Sequence, residues 1–435
     1  MKKNYLHIIS NFIISLIVGY IGITFIFNIY KISKWVHMTF VIGLIIMFVV
    51  FLMKIFEKES NKIQIFIRII GLLILTVLCL YNETLFLSLL PYLAGIWALL
   101  HVVVKFIMLY IKVKDKLPGK LFTSINLIYN IILSLVLLIH FDEYQDIVYF
   151  ALGLFLCIHA FAFFINALQD LFYQEKTFTQ VLELSLPPSI VALIPVSILN
   201  FIKKYEKDIR EIKEYNDHKK DIETDLSVLL HVAPNGPAML GHVDMIYNGV
   251  AISYGCYDPH NRGLLGTFGD GVVLKVDAND YLYNILKNEN KVLVLFGIKL
   301  NDESKELLEE KLNSLMDTYV LFKSDYQLKQ ENNSYESECD DYISRISKFS
   351  HSAKFYKIKE GKYKTFFVLS SNCVSYAANI LKIIGLNLID FSGIISPGAY
   401  YSFLESNFKS GKSIIVSKKL LTKSDASKYI TVVNK

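Results

Sequence analysis

The sequence has few cysteines, and their spacing suits neither a metal site nor a disulfide framework. Five of its 435 residues are cysteine, and no two of them form a Cys-x-x-Cys pair. Structural zinc sites and disulfide-rich domains both depend on clustered cysteines, so neither is expected here. Cys79 and Cys157 fall within apolar runs, whereas Cys256, Cys339 and Cys373 are scattered through the second half of the chain.

The chain also lacks the charge pattern and the motifs of nucleic-acid and nucleotide binding. Its net charge is only +5 and is spread along the sequence, whereas nucleic-acid-binding domains concentrate lysine and arginine on one face. The glycine-rich stretch 258–271 does not stand between a strand and a helix, and no Gly-Lys-Ser/Thr motif is present. The sequence therefore predicts no cofactor and no nucleic-acid partner.

Long apolar runs, in contrast, are abundant in the first half of the chain. Hydrophobic residues make up 53% of the sequence and the mean hydropathy is +0.40. Runs long enough to span a bilayer occur near 7–30, 35–55, 64–81, 84–111, 121–140, 147–172 and 184–202. The last run contains Pro187, Pro188 and Pro195, which also suit a re-entrant or interfacial segment. Residues 1–202 are therefore predicted to form a multi-pass helical domain of six or seven spans in a lipid bilayer.

The distribution of lysine between the runs predicts the orientation of this domain. A cytoplasmic N-terminus places most loop lysines inside, whereas the outside loops retain only Lys31 and Lys34. Seven spans put the C-terminal half outside the cytoplasm, and six leave it inside. Lys203 and Lys204 favour six, but the length and apolar character of 184–202 favour seven. We therefore expect an extracytoplasmic C-terminal domain.

The pattern changes twice after the last apolar run. Residues 203–227 alternate in charge and are predicted to form a helical linker. From residue 228 the apolar residues recur every second position, which is typical of strands, and helical stretches follow between them. This pattern predicts an α+β domain over 228–410, built from an antiparallel sheet and helices, and a lysine-rich C-terminal tail over 411–435.

One hairpin in this domain carries a candidate base. Residues 242–255 alternate around an Asn248-Gly249 turn, and a two-residue loop of this kind pairs Tyr247 with Val250. Continuing this register places His242 at the open end of the hairpin, on its more polar face. A second hairpin is predicted over 353–371, with its turn at Glu360-Gly361.

The candidate nucleophile is Cys373, at the start of a predicted helix. A buried strand over 363–369 precedes it, Ser370, Ser371 and Asn372 offer capping side chains, and Gly385 ends the helical pattern. The unpaired amides at a helix N-terminus favour a thiolate over a thiol. The same pattern also fits a small buried residue that packs a helix start.

A nucleophilic cysteine needs a base, and the base needs a group that orients it. His242 is the candidate base, and the Cys373 amide together with the Asn372 side chain could form an oxyanion hole. Three residues are candidates for the orienting group: Ser253, Asp244 and Asp258.

Five segments, in this order, carry a family resemblance: GHVDMIYNG with SYGCYD, GTFGDGVV, VLVLFGIKL, KFYKIKEGKYKTFFVLSSNCVSYAANIL and GIISPGAYYSFL. Over about residues 228–408 the chain resembles the Lnb N-terminal periplasmic domain family of bacterial envelope proteins. That family is similar to permuted NlpC/P60, papain-like, cysteine hydrolases. The resemblance implies a permuted papain-like fold in which His242 is the base, Cys373 is the nucleophile and the orienting polar group lies near Ser253. Serine is a weak orienter, so Asp258 remains the alternative.

The function that the resemblance implies is hydrolysis of an amide or peptide bond, in a cell-envelope peptide or in peptidoglycan. Two other classes stay open. The domain could be an acyltransferase or another lipid-processing thiol enzyme, or it could be a binding or assembly module that keeps the fold without catalysis.

Overall fold

The structure is a computed structural model that describes most of both halves of the chain. Apart from isolated positions between 38 and 52, the described residues are 5–27, 62–81, 83–139, 145–172, 217–218, 223–232, 241–263, 266–289, 291–332, 339–386, 397–410 and 413–429. They divide into two compact units, the first from residues 1–113 and 118–184 and the second from 114–117 and 185–435. Each unit is described by itself.

The first unit contains long apolar helices. Their bounds are α1 Tyr5–Phe27, α2 Lys62–Tyr81, α3 Glu83–Lys114, α4 Lys120–Leu138 and α5 Gln145–Phe172. Small residues bring α1 and α5 close together, because a Cβ on Gly22 would lie 2.9 Å from the carbonyl oxygen of Gly153. Ser15 Oγ also donates a hydrogen bond of 2.8 Å to the Ala160 carbonyl across this contact.

Two helical stretches among the described residues are long and apolar enough to cross a membrane, Pro91–Lys114 within α3 and Lys120–Leu138. Length and composition support membrane association only weakly, because a core helix of a soluble protein passes the same test. The predicted run 184–202 lies outside the described residues, as does most of 35–55. The number of spans and their orientation therefore stay predictions.

The second unit is an antiparallel sheet with helices. Its strands are β1 Asp217–His218, β2 Leu226–Val232, β3 His242–Tyr247, β4 Val250–Gly255, β5 Arg262–Gly263, β6 Phe268–Asp270, β7 Val272–Asp277, β8 Val292–Ile298, β9 Tyr319–Phe322, β10 Lys354–Ile358, β11 Thr365–Phe367 and β12 Ile415–Leu421. Its α-helices are α6 Ala278–Tyr283, α7 Asp302–Met316, α8 Asp325–Glu331, α9 Tyr342–Phe349, α10 Cys373–Leu381 and α11 Pro397–Lys409. Short π- and 3-10 helices cover Asn284–Asn288, Lys382–Ile384 and Lys423–Tyr429.

Among the described residues, nine strands form one sheet in the order β1-β12-β8-β2-β3-β4-β7-β10-β9, and β11, β6 and β5 form a second, smaller sheet. All the pairings are antiparallel. The predicted α+β class, an antiparallel sheet with helices, is therefore confirmed.

The β3–β4 hairpin has the predicted register. Tyr247 pairs with Val250 and Asp244 pairs with Ser253. Asn248 and Gly249 have φ angles of 49° and 73°, the left-handed conformation that a type I′ turn needs and that Asn-Gly adopts readily. The fixed register places His242, Asp244 and Ser253 on one face of the hairpin.

Both faces of the large sheet are covered, which the alternating pattern alone does not show. Val243 and Tyr254 pack in one core with residues of α10, whereas Ala251 packs in a second core with Tyr281 and Leu282 of α6. The more polar face of the hairpin is therefore largely buried, and Asp244 is only 1% exposed.

The second predicted hairpin, over 353–371, does not form. Strand β10 pairs with β7 and β9 in the large sheet, whereas β11 pairs with β6 in the small one. A turn does occur at Gly361, where φ is +87°. After this turn, the Tyr363 carbonyl accepts a hydrogen bond of 2.9 Å from the Tyr254 hydroxyl. The chain then enters the smaller sheet, where the strand predicted over 363–369 is limited to Thr365–Phe367.

The segments predicted as a linker and a tail contain strands of the large sheet. Within 203–227, the structure describes 217–218 and 223–227, which contain β1 and the start of β2 and no helix; residues 203–216 and 219–222 lie outside the described residues. Within 411–435, β12 lies between β1 and β8 in the interior of the sheet. Lys418 of β12 is 5% exposed and pairs with Glu405, so this part of the predicted lysine-rich tail belongs to the folded domain.

Candidate functional site

Cys373 is the first residue of α10, as the sequence predicts. The Asn372 side chain caps this helix, because its Oδ1 accepts a hydrogen bond of 2.8 Å from the Ser375 amide. Its Nδ2 donates a second bond of 2.8 Å to the Val368 carbonyl. These two bonds fix the turn before the helix, and Cys373, which follows this turn, is 6% exposed.

His242 reaches this thiol. It is the first residue of β3, and its side chain lies close enough to the side chain of Cys373 for the two to interact electrostatically. The imidazole is 24% exposed, so the pair lies at the edge of the core rather than deep inside it. The structure thus brings together the two residues that the sequence predicts as base and nucleophile.

Three oxygen atoms surround the Nε2 atom of His242. Asp244 Oδ1 lies 2.9 Å from it, the Tyr257 hydroxyl 2.9 Å and Ser253 Oγ 3.0 Å. The Ser253 and Tyr257 hydroxyls are also hydrogen-bonded to each other, at 2.5 Å.

Tyr257 is a site residue that sequence reasoning missed. It follows β4 by two positions, and its ring folds back over the end of that strand. A Cβ on Gly255 would lie 2.6 Å from the ring, so the glycine provides the space for this approach. The signal in the sequence is a glycine at the strand end two residues before an aromatic residue.

Charge stabilises the protonated form of His242. Burial lowers its pKa, but the Asp244 carboxylate and the Cys373 thiolate raise it, and the net effect is a pKa of about 10. Burial raises the pKa of Asp244, but its neighbours His242 and His231 bring it well below its usual value. The favoured state at neutral pH is therefore an imidazolium beside a carboxylate, which is the state that supports a thiolate.

A second histidine and a tyrosine hold the other oxygen of the carboxylate. His231 Nε2 lies 2.5 Å from Asp244 Oδ2, and the Tyr281 hydroxyl donates a hydrogen bond of 2.6 Å to the same atom. His231 is on β2, directly opposite His242 in the strand register. Sequence reasoning missed both residues, because neither strand order nor the covering helix can be derived from local pattern.

The structure places Asp258 away from these contacts. Its carboxylate accepts a hydrogen bond of 2.9 Å from the His260 amide and lies 2.5 Å from Lys357 Nζ, which also bridges to Asp270 at 3.0 Å. This ion cluster ties the loop after β4 to β10. Asp258 is thus engaged in loop structure, whereas Asp244, Ser253 and Tyr257 contact the imidazole.

Two matched substitutions separate these roles. Asp258→Asn is expected to lower the free energy of unfolding by about 1–3 kcal/mol, because it weakens a buried ion pair, and to leave the alkylation rate of Cys373 unchanged. Asp244→Asn is expected to slow alkylation at about pH 6 by about tenfold or more, because the imidazolium loses its counterion. Thermal unfolding of the full chain and mass spectrometry of the Cys373 peptide measure the two effects. An Asp258→Asn variant that is as stable as the wild type but reacts slowly would reverse the assignment.

A scan of protein-family models and searches of curated proteins and of solved structures found no match to this chain. Function is therefore inferred from the geometry of the site itself. Among the described residues, no group of three or more histidine, cysteine, aspartate or glutamate side chains is placed to hold a metal ion.

The helix start also offers hydrogen-bond donors to a developing negative charge. The first amides of a helix, here those of Cys373 and Val374, have no acceptor within the helix. The Asn372 amide, predicted to assist them, donates to the Val368 carbonyl instead. The backbone amides are therefore the stronger candidates for an oxyanion hole.

Proposed function

We propose that the second unit is a cysteine hydrolase that cleaves an amide or peptide bond. One observation carries this proposal: the His242 ring contacts the Cys373 side chain and, with Nε2, lies 2.9 Å from Asp244 Oδ1. The thiol, the base and the carboxylate thus lie next to one another in space, in the order that nucleophilic catalysis requires.

In the first half of the reaction, His242 holds the proton of Cys373 and the thiolate attacks the carbonyl carbon of the substrate. The carbonyl oxygen becomes an oxyanion near the amides of Cys373 and Val374. When the carbon–nitrogen bond breaks, His242 passes its proton to the leaving amine, and a thioester remains on Cys373. In the second half, His242 takes a proton from water and the hydroxide attacks the thioester carbon. The carbon–sulfur bond then breaks, the carboxylic acid leaves, and Cys373 is regenerated as a thiolate beside His242, which holds the proton.

Asp244 supports both halves without exchanging a proton. Its carboxylate belongs to a residue that is 1% exposed, and it stabilises the imidazolium form of His242, both at rest and when His242 takes a proton from water. Positioned proton transfer of this kind contributes about 10²–10⁴-fold to a rate. Ser253 and Tyr257 lie around the same nitrogen and restrict the tilt of the ring.

We further propose a setting at the cell envelope, with peptidoglycan stem peptides or an envelope peptide as substrate. The apolar helices of the first unit support a multi-pass anchor, and the lysine distribution supports a cytoplasmic N-terminus with an extracytoplasmic second unit. The resemblance to the Lnb N-terminal periplasmic and NlpC/P60-type domains agrees with such a substrate.

The test is to trap the thioester. The full chain in detergent is incubated with peptidoglycan stem peptides, quenched in acid and digested, and the Cys373 peptide is analysed by mass spectrometry. We expect an acyl group on Cys373 together with a released amine, and the same adduct in the Cys256→Ala control. Amine release that continues at the wild-type rate in Cys373→Ala would contradict the proposal.

The apolar helices of the first unit also favour a second candidate, an acyltransferase or lipid-processing enzyme that uses the same thiol. The same experiment with phospholipid vesicles distinguishes the two, because a fatty acyl thioester on Cys373 would indicate lipid chemistry. Absence of any adduct, together with a slowly reacting thiol, would indicate a binding or assembly module.

A further inference from the structure

We propose that His231 is a positioning residue. It contacts Oδ2 of Asp244 and so keeps Oδ1 directed at His242. The inference rests on the proposed function, since it concerns the same site. It assigns a role to a buried histidine that contacts neither the thiol nor any substrate directly.

The geometry around the carboxylate is the first support. His231 Nε2 lies 2.5 Å from Oδ2 and the Tyr281 hydroxyl lies 2.6 Å from the same atom. Oδ1 is left to His242, whose Nε2 lies 2.9 Å away. The carboxylate thus has two contacts at one oxygen, the Tyr281 hydrogen bond and the close approach of His231 Nε2. Rotation of the carboxylate would break both contacts, so its second oxygen stays directed at the imidazole.

The position of His231 in the sheet explains how the contact is maintained. It lies on β2 directly opposite His242, and the two rings meet edge to face with centroids 5.3 Å apart. Its side chain is 4% exposed. Strand pairing therefore fixes both histidines relative to Asp244, and the contact does not depend on a loop.

The charge state of His231 suits this role. Burial lowers its pKa, and although Asp244 raises it, the net value is about 4, so the ring is neutral at physiological pH. A neutral ring in contact with Oδ2 does not compete with the His242 imidazolium for the charge of the carboxylate. The other titratable groups facing this network are Lys291 and Tyr342, the latter hydrogen-bonded to Tyr281.

Removing His231 should therefore act through Asp244. A buried carboxylate that loses a donor is harder to ionise, because the desolvation of its charge is no longer offset. His242 then loses part of its counterion, and the Cys373 thiolate forms only at higher pH. If His231 only filled space, its replacement would change the stability of the domain but not the pH dependence of Cys373 alkylation.

The experiment compares three variants of the full chain: His231→Leu, His231→Gln and Tyr281→Phe. Leucine removes the donor, whereas the glutamine amide can donate to the same oxygen. We expect alkylation of Cys373 at about pH 6 to slow about tenfold in His231→Leu, to recover to within about threefold of wild type in His231→Gln, and to slow by an intermediate amount in Tyr281→Phe. The whole pH profile of His231→Leu should move to higher pH.

A second measurement separates this inference from the proposed function. The pKa of His242 is followed by NMR of histidine-labelled protein in the Cys373→Ala background, with and without His231→Leu. We expect the substitution to lower that pKa and His231→Gln to preserve it. If Cys373 of the wild type reacts as an ordinary thiol, the proposed function fails, but this titration still decides the role of His231.

The inference is overturned if His231→Leu lowers the melting temperature and leaves both the alkylation profile and the His242 pKa unchanged. If His231→Leu does not fold, His231→Gln and Tyr281→Phe provide the same comparison. An unchanged His242 pKa in Tyr281→Phe together with a lowered one in His231→Gln would also contradict the proposed division of the carboxylate oxygens.

Discussion

Replacing Cys373 with alanine is expected to reduce turnover of the substrate by at least about 1,000-fold, because the covalent route through the thioester is lost. Residual activity would come only from binding and from the amides at the start of α10. The variant should fold normally, since Cys373 and alanine are both small and the capping bonds of Asn372 do not involve the thiol. Release of the amine product, measured for the wild type and the variant at equal protein concentration, gives the result.

Cys256 provides a matched control in the same domain. Burial raises the pKa of its thiol to about 11, so it stays protonated and unreactive at neutral pH. Cys256→Ala is therefore expected to retain full turnover. Loss of activity in Cys256→Ala alone, with full activity in Cys373→Ala, would show that the nucleophile has been misassigned.

Replacing His242 with alanine is expected to have the second largest effect, and that effect depends on pH. A free cysteine has a pKa of about 8.5, so at about pH 6 less than about 1% of it is thiolate. An imidazolium beside a cysteine stabilises its thiolate over its thiol, although a less basic thiolate is intrinsically a weaker nucleophile. The variant should therefore be alkylated about 100-fold more slowly at about pH 6, and the difference should vanish at about pH 9.

His260 is the matched control for this substitution. It is an exposed histidine, 71% accessible at its side chain, and pairs with Asp325 away from the thiol. His260→Ala is expected to leave the alkylation rate unchanged at every pH. A deficit in His242→Ala that is equally large at about pH 6 and about pH 9 would indicate a change in access to the thiol rather than in its ionisation.

The sequence predicts the local parts of the site well, because local chemistry determines them. The Asn-Gly turn fixes the hairpin register and with it the shared face of His242, Asp244 and Ser253. The cap at Asn372 and the helical spacing after it fix the start of α10 at Cys373. Each feature depends on residues within about one turn or one hairpin of one another.

The parts that could not be predicted depend on distant segments. His231 and Tyr281 meet Asp244 only because β2 pairs with β3 and α6 covers that face, and no local pattern shows either arrangement. Asp258 was a candidate for the orienting group, because the local sequence does not show that β10 places Lys357 beside its carboxylate. The lysine-rich segment containing β12 was predicted to be a tail, because local composition does not show that Lys418 pairs with Glu405 of α11.

The multi-pass anchor and the side of the membrane on which the second unit lies are separate questions from the chemistry of the site. Two stretches of the described helices are long and apolar enough to cross a membrane, which supports membrane association only weakly. The contacts of Cys373, His242 and Asp244 all lie within the second unit, so their test does not depend on the number of spans.

The most direct test of the central claim is the rate of Cys373 alkylation in the wild-type full chain, measured by mass spectrometry from about pH 4 to about pH 10. We expect a rate that is nearly constant between about pH 6 and about pH 8, because the imidazolium of His242 keeps the sulfur ionised across that range. A rate that instead rises about tenfold per pH unit, with its midpoint near the value of about 8.5 for a free thiol, would contradict the proposed pair.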